Sequence, residues 1–443
     1  MSMNRPPRVI TAVGLAGAVF ALGAIGVLRH PTDDGAAAAP ATADPVAIAV
    51  APGSADRAIE QLQQRLREVP GDWNAANGLG LAYVQEARIT ADPSYYPKAE
   101  AVLQDSLDVR PHDNAGAYVG LAALAAARHD FSGALADGEH AKRLDPYDGA
   151  VYGVIGDALV ELGRYGAAAG AMQRMVDTTP GLSSYARVSY LRELHGDVQG
   201  AVIAMQAARD VAGTPEDTSW AAYQLGELAW NAGDVREAAA RYREASQLDP
   251  TWVPPAAGLA KVAWARGDTA AAIARYRDVV ARVPQPEYVI ALGDLLRETG
   301  DRAGAREQYG LARAEAALFR ANGVDVDLEI ALFDADHGHP RPALRAARDE
   351  WARRHSIHVA DAYAWALHAA GRDRAALGYE RRAVALGTRS ASFRYHLGMI
   401  ELALGRAGAG TAALRTALRI NPHFSIIGSS VARSALAKER GTA

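Results

Sequence analysis

LGELAWNAGDVREAAARYREASQLDP, residues 225–250, holds two segments of helical periodicity joined by a glycine. Apolar side chains recur three or four residues apart in both segments, at Leu225, Leu228, Ala229, Ala238, Tyr242 and Ala245. That spacing places them on one face of each helix. Gly233 suits the left-handed end of a helix, and Asp234 suits the N-cap of the next one. We therefore predict a helical hairpin that ends at Pro250.

The same punctuation recurs along most of the chain. Glycines stand 33 to 38 residues apart, at Gly163, Gly196, Gly233, Gly267, Gly300, Gly338, Gly371 and Gly405. Five residues after each glycine stands a small side chain, at Ala168, Ala201, Ala238, Ala272, Ala305, Ala343, Ala376 and Gly410. Small residues allow two helices to cross closely, and a fixed period of this length indicates a repeat architecture. Strand-like alternation is almost absent beyond Ser54, so we expect an all-α solenoid.

The unit resembles the tetratricopeptide repeat, a helical hairpin of about 34 residues. That family carries a large–small pair in the first helix and a small residue, an aromatic residue and a proline in the second. Leu225-Gly226, Ala238, Tyr242 and Pro250 match this pattern. The resemblance implies a right-handed superhelix of about nine hairpins. Within this family, the chain resembles bacterial members that are membrane-anchored or exported.

The repeats divide the chain into consecutive segments. Hairpins are expected over residues 72–322 and 323–422, with a soft boundary where Asn322-Gly323 ends a helix that lacks a terminal proline. A capping helix is expected at residues 56–71, and a C-terminal capping helix and tail at residues 423–443.

The N-terminal segment is typical of a signal-anchor. Residues 9–28 carry no charge and, as a helix, are long enough to cross a bilayer. Arg5 and Arg8 favour a cytoplasmic location for residues 1–8 and an extracytoplasmic one for the remainder. Residues 29–55 read as an Ala/Pro-rich linker. The alternative is a cleaved signal peptide, with the cut near Ala43 and a secreted product.

The first helices of successive hairpins should line a concave groove along an extended, curved rod. The resemblance implies that this groove binds another polypeptide, as an extended peptide or a helix. The expected groove residues are Trp220, Tyr223, Glu227, Trp230, Asn231, Lys261, Trp264, His358, Asp361, Trp365, His368, Tyr395 and Met399. Any one of these rings has an alternative role, packing between neighbouring helices. Acidic residues outnumber basic ones along this wall, which favours a partner with apolar and basic side chains.

Composition and motifs exclude several classes of function. The formal charge of -4, from 47 Lys and Arg against 51 Asp and Glu, gives no basic footprint for nucleic acid. The absence of cysteine excludes disulfides, thiolate catalysis and Cys-ligated zinc. Phosphate-binding and nucleophile motifs are also missing. We expect a scaffold or adaptor, not an enzyme, with no cofactor and no small-molecule substrate.

One alternative function remains open, an envelope-associated enzyme or metal-binding protein with its site between Asp334 and His368. Five histidines lie in or near this region, at His337, His339, His355, His358 and His368. Their spacing differs from the pair four residues apart on a helix that zinc peptidases use, and His337 and His339 flank a turn glycine. We therefore predict no metal site among these histidines.

Overall fold

The computed structural model describes residues 54–441, which are all-α and contain 22 helices and no strand. Helices α1 (Ser54–Glu68) and α22 (Ile426–Gly441) flank ten helical hairpins. The hairpins are α2/α3 (Trp73–Thr90, Tyr95–Val109), α4/α5 (Ala115–Ala127, Phe131–Leu144), α6/α7 (Gly149–Glu161, Tyr165–Thr178), α8/α9 (Leu182–Leu194, Val198–Asp210), α10/α11 (Pro215–Asn231, Val235–Leu248), α12/α13 (Pro254–Ala265, Thr269–Arg282), α14/α15 (Pro286–Glu298, Arg302–Ala321), α16/α17 (Asp327–Asp336, Pro340–Arg353), α18/α19 (Ile357–Ala369, Asp373–Ala383) and α20/α21 (Ala391–Ala403, Ala407–Ile420).

The all-α prediction is confirmed, and the part of the chain described here has ten hairpins where the sequence predicted about nine. The predicted cytoplasmic N-terminus, membrane helix at residues 9–28 and nearly all of the linker lie outside the described residues. Among residues 54–441, no helix combines the length and the apolar character needed to cross a bilayer. The right-handedness of the superhelix stays a prediction.

The glycine turns of eight hairpins form as the sequence predicts. Gly233, between α10 and α11, has a φ of +82°, and the other seven glycines of the lattice also have positive φ. The Asp234 carboxylate accepts hydrogen bonds from the backbone N–H groups of Arg236 and Glu237 and so caps α11. Local rules of helix capping therefore account for the boundaries of these helices.

Small residues permit the close helix crossings. Tyr242 of α11 is fully buried between Gly226 of α10 and Gly258 of α12. A Cβ atom on Gly226 would lie 2.6 Å from a ring carbon of Tyr242, and one on Gly258 would lie 2.7 Å away. The aromatic ring of one helix thus fills the space that the glycines of its neighbours leave.

The curvature follows from which helices touch. The first helices of neighbouring hairpins pack on one another, as in α4 with α6 and α18 with α20, whereas the second helices do not pack this closely. The first helices therefore form the inner layer of the superhelix, as predicted from the repeat.

The regular stacking is interrupted once, between α15 and α16. Successive helices pack side by side along the described chain except at this junction. Here Val324 and Val326 are buried in a cluster with Leu124 and Ala127 of α4. The backbone N–H of Asp325 donates to the carbonyl of Arg128, 3.2 Å away. The end of α15 has thus returned to the beginning of the solenoid.

From this point a second superhelical turn packs against the first. Turns within early hairpins meet loops between late ones, at Gly163 with His355, Gly196 with Gly387 and Gly233 with Ile420. Four of the hydrogen bonds across this boundary join residues 191 to 196 apart, as from the Asn421 amide to the Trp230 carbonyl. One turn of the superhelix therefore takes about 190 residues of this chain, equal to five or six hairpins.

The boundary between the turns contains a buried ionic cluster. Arg354, between α17 and α18, donates to Glu161 of α6 at 2.7 Å and also bonds Glu350 of α17. All three side chains are almost completely buried. The Tyr165 hydroxyl accepts the backbone N–H of Ile357 at 2.7 Å. The sequence predicted an extended, curved rod, whereas in the structure the chain's own later repeats pack against the C-terminal ends of α6 and α8.

Candidate binding groove

The candidate wall is formed by the first helices α10, α12 and α14, which also meet the second turn at Asn421, His423 and α22. Glu227 of α10 is half-buried and precedes Lys261 of α12 by one repeat length. The two side chains therefore lie next to each other, because equivalent positions of successive hairpins stack. The Lys261 ammonium donates to both oxygens of Glu227, at 2.6 and 2.8 Å. The Tyr242 hydroxyl donates to the same carboxylate at 2.6 Å. The wall therefore carries a pre-ordered ion pair with an aromatic side chain beneath it.

Two further half-buried carboxyls surround this pair. Glu193 of α8 accepts a hydrogen bond from Asn231 at 2.9 Å, and burial raises its pKa to about 7 with a smaller contribution from the charge of Glu227. Burial also raises the pKa of Glu287 to about 7, although the charge of Lys261 opposes this rise. Three carboxyl groups thus face one lysine, and the local balance is acidic.

The predicted tryptophans fall into two groups. Trp220 and Trp230 are 5% and 7% exposed and pack within the hydrophobic core, Trp220 against Leu182 and Met205. Their rings therefore take the packing role that the sequence left open. Trp264 of α12 is half-buried and meets the His423 ring edge-to-face at 5.7 Å. Of the three, Trp264 offers a partner the most surface.

The remaining predicted residues of this wall are partly accessible. Tyr223 is half-buried, with its ring 5.1 Å from that of Trp252, and burial raises the pKa of its hydroxyl well above the ordinary value. Asn231 is exposed at the end of α10 and bonds Glu193. The structure thus brings Tyr223, Glu227, Asn231, Lys261 and Trp264 together along α10 and α12.

The predicted groove residues of the second block of repeats, residues 323–422, form a separate, more buried cluster. Trp365 stacks on the His396 ring at 4.2 Å, contacts Tyr395 and donates from Nε1 to Asp336. Asp361 accepts from His396, and His368 pairs with Asp373. His358 and Met399 are half-buried, and burial lowers the pKa of His358. This cluster is an interior network of the second block.

Two acidic residues of the first helix α6, Asp157 and Glu161, are already paired within the chain. Asp157 of α6 accepts from Arg187 of α8 at 2.9 and 2.8 Å, and both side chains are buried. Glu161 is held by Arg354. Ion pairs that are buried and complete do not need a partner's charges, so the acidic surface that remains lies around Glu193, Glu227 and Glu287.

The histidines of the alternative hypothesis do not converge on one point. His337 bonds the carbonyl of Phe333 and the carboxylate of Asp294, the latter at 2.9 Å. Burial alone would lower the pKa of His337, but the hydrogen bond to Asp294 and its charge raise it above the ordinary value. His368 is engaged separately by Asp373. His337 and His368 are thus each held by a different local partner.

Sequence reasoning missed Glu287, Glu380 and His396. Glu380 and His396 lie beside Asp361, and the oxygen and nitrogen atoms of the three come within 4.8 Å of one another. A signal was present in the sequence, since His396 follows Asp361 by 35 residues, one repeat length. Equivalent positions of neighbouring hairpins lie side by side, so the repeat register would have paired them.

Comparison with known proteins supports the repeat assignment. Residues 229–295, from the end of α10 to α14, match the family model described as tetratricopeptide repeat. No curated protein matches the sequence significantly.

Several solved structures are similar over most of the chain. Yeast Tom70 is 14% identical, over 88% of this chain and 86% of that one, with a TM-score of 0.36. The APC/C hetero-tetramer Cut9-Hcn1 is 14% identical, over 87% and 93%, with a TM-score of 0.38. The human IFIT1 dimer with m7Gppp-AAAA is 15% identical, over 76% and 78%, with a TM-score of 0.46. The described chain is an all-α solenoid that resembles tetratricopeptide-repeat proteins.

Proposed function

We propose that the protein is a non-enzymatic scaffold that binds a segment of another polypeptide along the inner wall of α10, α12 and α14. Tetratricopeptide repeats generally mediate contacts between proteins, and the matched residues 229–295 include most of this wall. The observation that carries the proposal is the imbalance of charge, with Glu193, Glu227 and Glu287 around Lys261.

The chemistry of the wall indicates the kind of segment. A cationic side chain would complement the carboxyl groups that Lys261 leaves uncompensated. The half-buried face of Trp264 beside them suits an apolar or cationic contact. The partner segment should therefore combine basic and apolar residues.

The first test neutralises charge without changing shape. The segment is identified by placing a photo-reactive amino acid at Trp264, and its synthetic peptide is then titrated by fluorescence anisotropy. Glu193→Gln/Glu287→Gln should weaken binding about tenfold or more, because it removes two carboxyl groups that attract a cationic side chain. A tenfold loss of affinity corresponds to about 1.4 kcal/mol. Burial already disfavours the charged form of both carboxyls, so the variant should fold at least as stably as the parent.

The matched control is Glu237→Gln/Glu307→Gln, which removes two carboxyls from the second helices α11 and α15. Glu307 is exposed, and Glu237 is half-buried and pairs with Arg241 on the same helix. The control variant should bind as the parent does. Equal affinity for both double variants, or tighter binding of a charge-reversed acidic peptide, would refute the basic-segment proposal. Trp264→Ala should also weaken binding, whereas Trp230→Ala is unsuitable because Trp230 belongs to the core.

Affinity should also depend on pH. The pKa values of Glu193 and Glu287 are about 7, so both carboxyls gain negative charge as the pH rises from 6 to 8. Binding of a basic peptide should therefore strengthen over this range, by about tenfold, because deprotonation adds up to two attractive charges. Titration of the parent and of Glu193→Gln/Glu287→Gln at both pH values checks this. The variant should show a flat profile, and a parent that binds more weakly at pH 8 would contradict the assignment.

The N-terminal segment completes the proposal. An uncharged run at residues 9–28 after Arg5 and Arg8 would tether the scaffold to a bacterial cytoplasmic membrane, with the repeats on the extracytoplasmic side. Fractionation of cells expressing the chain with and without residues 9–28, combined with protease accessibility in spheroplasts, tests this location. Cleavage near Ala43 would instead release the repeats.

A further inference from the structure

Asp361, Glu380 and His396 form a compact polar cluster inside the second block. They come from α18, α19 and α20, and one oxygen or nitrogen atom from each lies within 4.8 Å of the others. Their exposed fractions are 3%, 0% and 7%, so bulk water does not solvate them. Three potential ligands from three helices thus converge in the protein interior.

The Glu380 carboxylate is unexplained by the contacts of the fold. Neither of its oxygens has a hydrogen-bond partner among the described residues, although the side chain is completely buried. Burial and the neighbouring Asp361 raise its pKa well above the ordinary value, against a weaker opposing effect of Arg394. A buried carboxylate without partners is costly. Either a proton or a cation between Glu380 and Asp361 would relieve this cost.

The imidazole of His396 is held in place by its surroundings. Its Nδ1 lies 2.7 Å from Oδ1 of Asp361, and its ring stacks on Trp365 at 4.2 Å. Trp365 is in turn fixed by the hydrogen bond from its Nε1 to Asp336, at 2.8 Å. This second layer of contacts orients the histidine, as outer-sphere partners do in protein metal sites.

We propose that Asp361, Glu380 and His396 bind one divalent first-row transition metal ion. One imidazole nitrogen and two carboxylate oxygens form a donor set that suits zinc and its neighbours in that row. Magnesium and calcium prefer oxygen ligands throughout. The ion would supply the charge that Glu380 lacks and would join three helices of adjacent hairpins.

The geometry requires little movement. Zinc–oxygen and zinc–nitrogen bonds of about 2.1 Å place tetrahedral ligand atoms about 3.4 Å apart. The present atoms span up to 4.8 Å, and the His396–Asp361 pair is closer, at 2.7 Å. Side-chain rotations that move the ligand atoms by about 1 Å would bring the distances between them close to this value. Because the cluster is buried, the role of the ion would be structural, pinning α18, α19 and α20 together.

The competing occupant is a proton. A protonated Glu380 would donate to Asp361 and remove one negative charge without any metal. The two occupants predict opposite effects of Glu380→Gln. The amide loses a metal ligand, but it can still donate a hydrogen bond to Asp361 as the protonated acid would.

The test is calorimetric titration of the purified full chain with zinc chloride after removal of metals by a chelator. We expect one zinc per chain, a higher Tm with zinc and no comparable effect of magnesium. Glu380→Gln should weaken zinc binding at least 100-fold while keeping the helical circular dichroism. His337→Gln/His339→Gln, which alters the other histidine pair, should bind zinc as the parent does.

Two results would overturn the proposal. One is a parent without saturable zinc binding, together with a Glu380→Gln variant whose Tm is equal or higher, which identifies a shared proton. The other is zinc binding that persists in Glu380→Gln but disappears in His337→Gln/His339→Gln, which places the metal elsewhere.

Discussion

Replacing Arg354 with methionine is expected to lower the free energy of unfolding by about 3–5 kcal/mol. The guanidinium is 1% exposed and bonds Glu161 of the first superhelical turn and Glu350 of the second. It also lies over the Phe131 ring, 4.8 Å from the centroid. Its removal leaves Glu161 buried without its cation, whereas Glu350 keeps an ion pair with Arg353. An orphaned buried charge of this kind dominates the cost of breaking a buried pair.

Chemical denaturation of the variants measures this effect. Arg348→Met, on the same segment but exposed beside Asp349, is the matched control and should change stability by less than about 0.5 kcal/mol. Adding Glu161→Gln to Arg354→Met should restore part of the loss, because one orphaned charge disappears. Equal midpoints for Arg354→Met and Arg348→Met would show that the two turns are not joined by Arg354.

Alanine at the lattice glycines should divide them into two classes. Gly163→Ala, Gly196→Ala and Gly233→Ala each add a Cβ atom 2.3 to 2.5 Å from a carbonyl oxygen of the second turn. Gly267 and Gly300 have the same backbone conformation, with φ of +84° and +90°, but a Cβ atom there meets open space. The first class should therefore be more destabilising.

The expected costs follow from two separate effects. A left-handed alanine costs about 1–2 kcal/mol at all five positions. The clash with backbone of the second turn adds about 1–3 kcal/mol at Gly163, Gly196 and Gly233. Thermal and denaturant unfolding of the five variants, compared with one another, isolates the second effect. A uniform loss across all five would contradict the packing of the second turn on the first.

Local features of the fold were predictable from the sequence because they follow from short-range chemistry. Glycine in the left-handed region ends a helix and aspartate caps the next, so Gly233 and Asp234 mark a turn without any tertiary information. Ala238 and Tyr242 fall on one helical face for the same reason. The glycine turn repeats in eight of the ten hairpins, and the all-α solenoid follows from this recurrence.

Closure of the superhelix was not predictable in this way. The number of hairpins in one turn depends on a small rotation between neighbours, and small differences accumulate over five or six units. Arg354 and Glu161 are 193 residues apart, and no local pattern links them. A charged residue on the inner wall has the same sequence pattern whether its side chain faces solvent or contacts a later repeat.

The candidate site was predictable only in part, because a tryptophan on a first helix has the same spacing in a groove or in a core. Trp230 turned inward to the core and Trp264 remained at the surface, although they occupy equivalent positions 34 residues apart. The cluster of Asp361, Glu380 and His396 spans three helices, and Glu380 lies on the second helix of its hairpin. Its position depends on how deeply that helix packs.

The central claim is that the second superhelical turn packs on the first. A cross-link between positions 195 and 389 tests this claim most directly. A Cβ atom on Gly196, the residue after His195, would lie 3.6 Å from Cγ of Arg389. The side chains of His195 and Arg389 are both exposed. The chain has no cysteine of its own, so His195→Cys/Arg389→Cys can be joined selectively by a short bismaleimide. We predict a rapid intramolecular cross-link in the folded monomer that is lost in denaturant. Cysteines that react singly and never cross-link in the folded protein would contradict the claim.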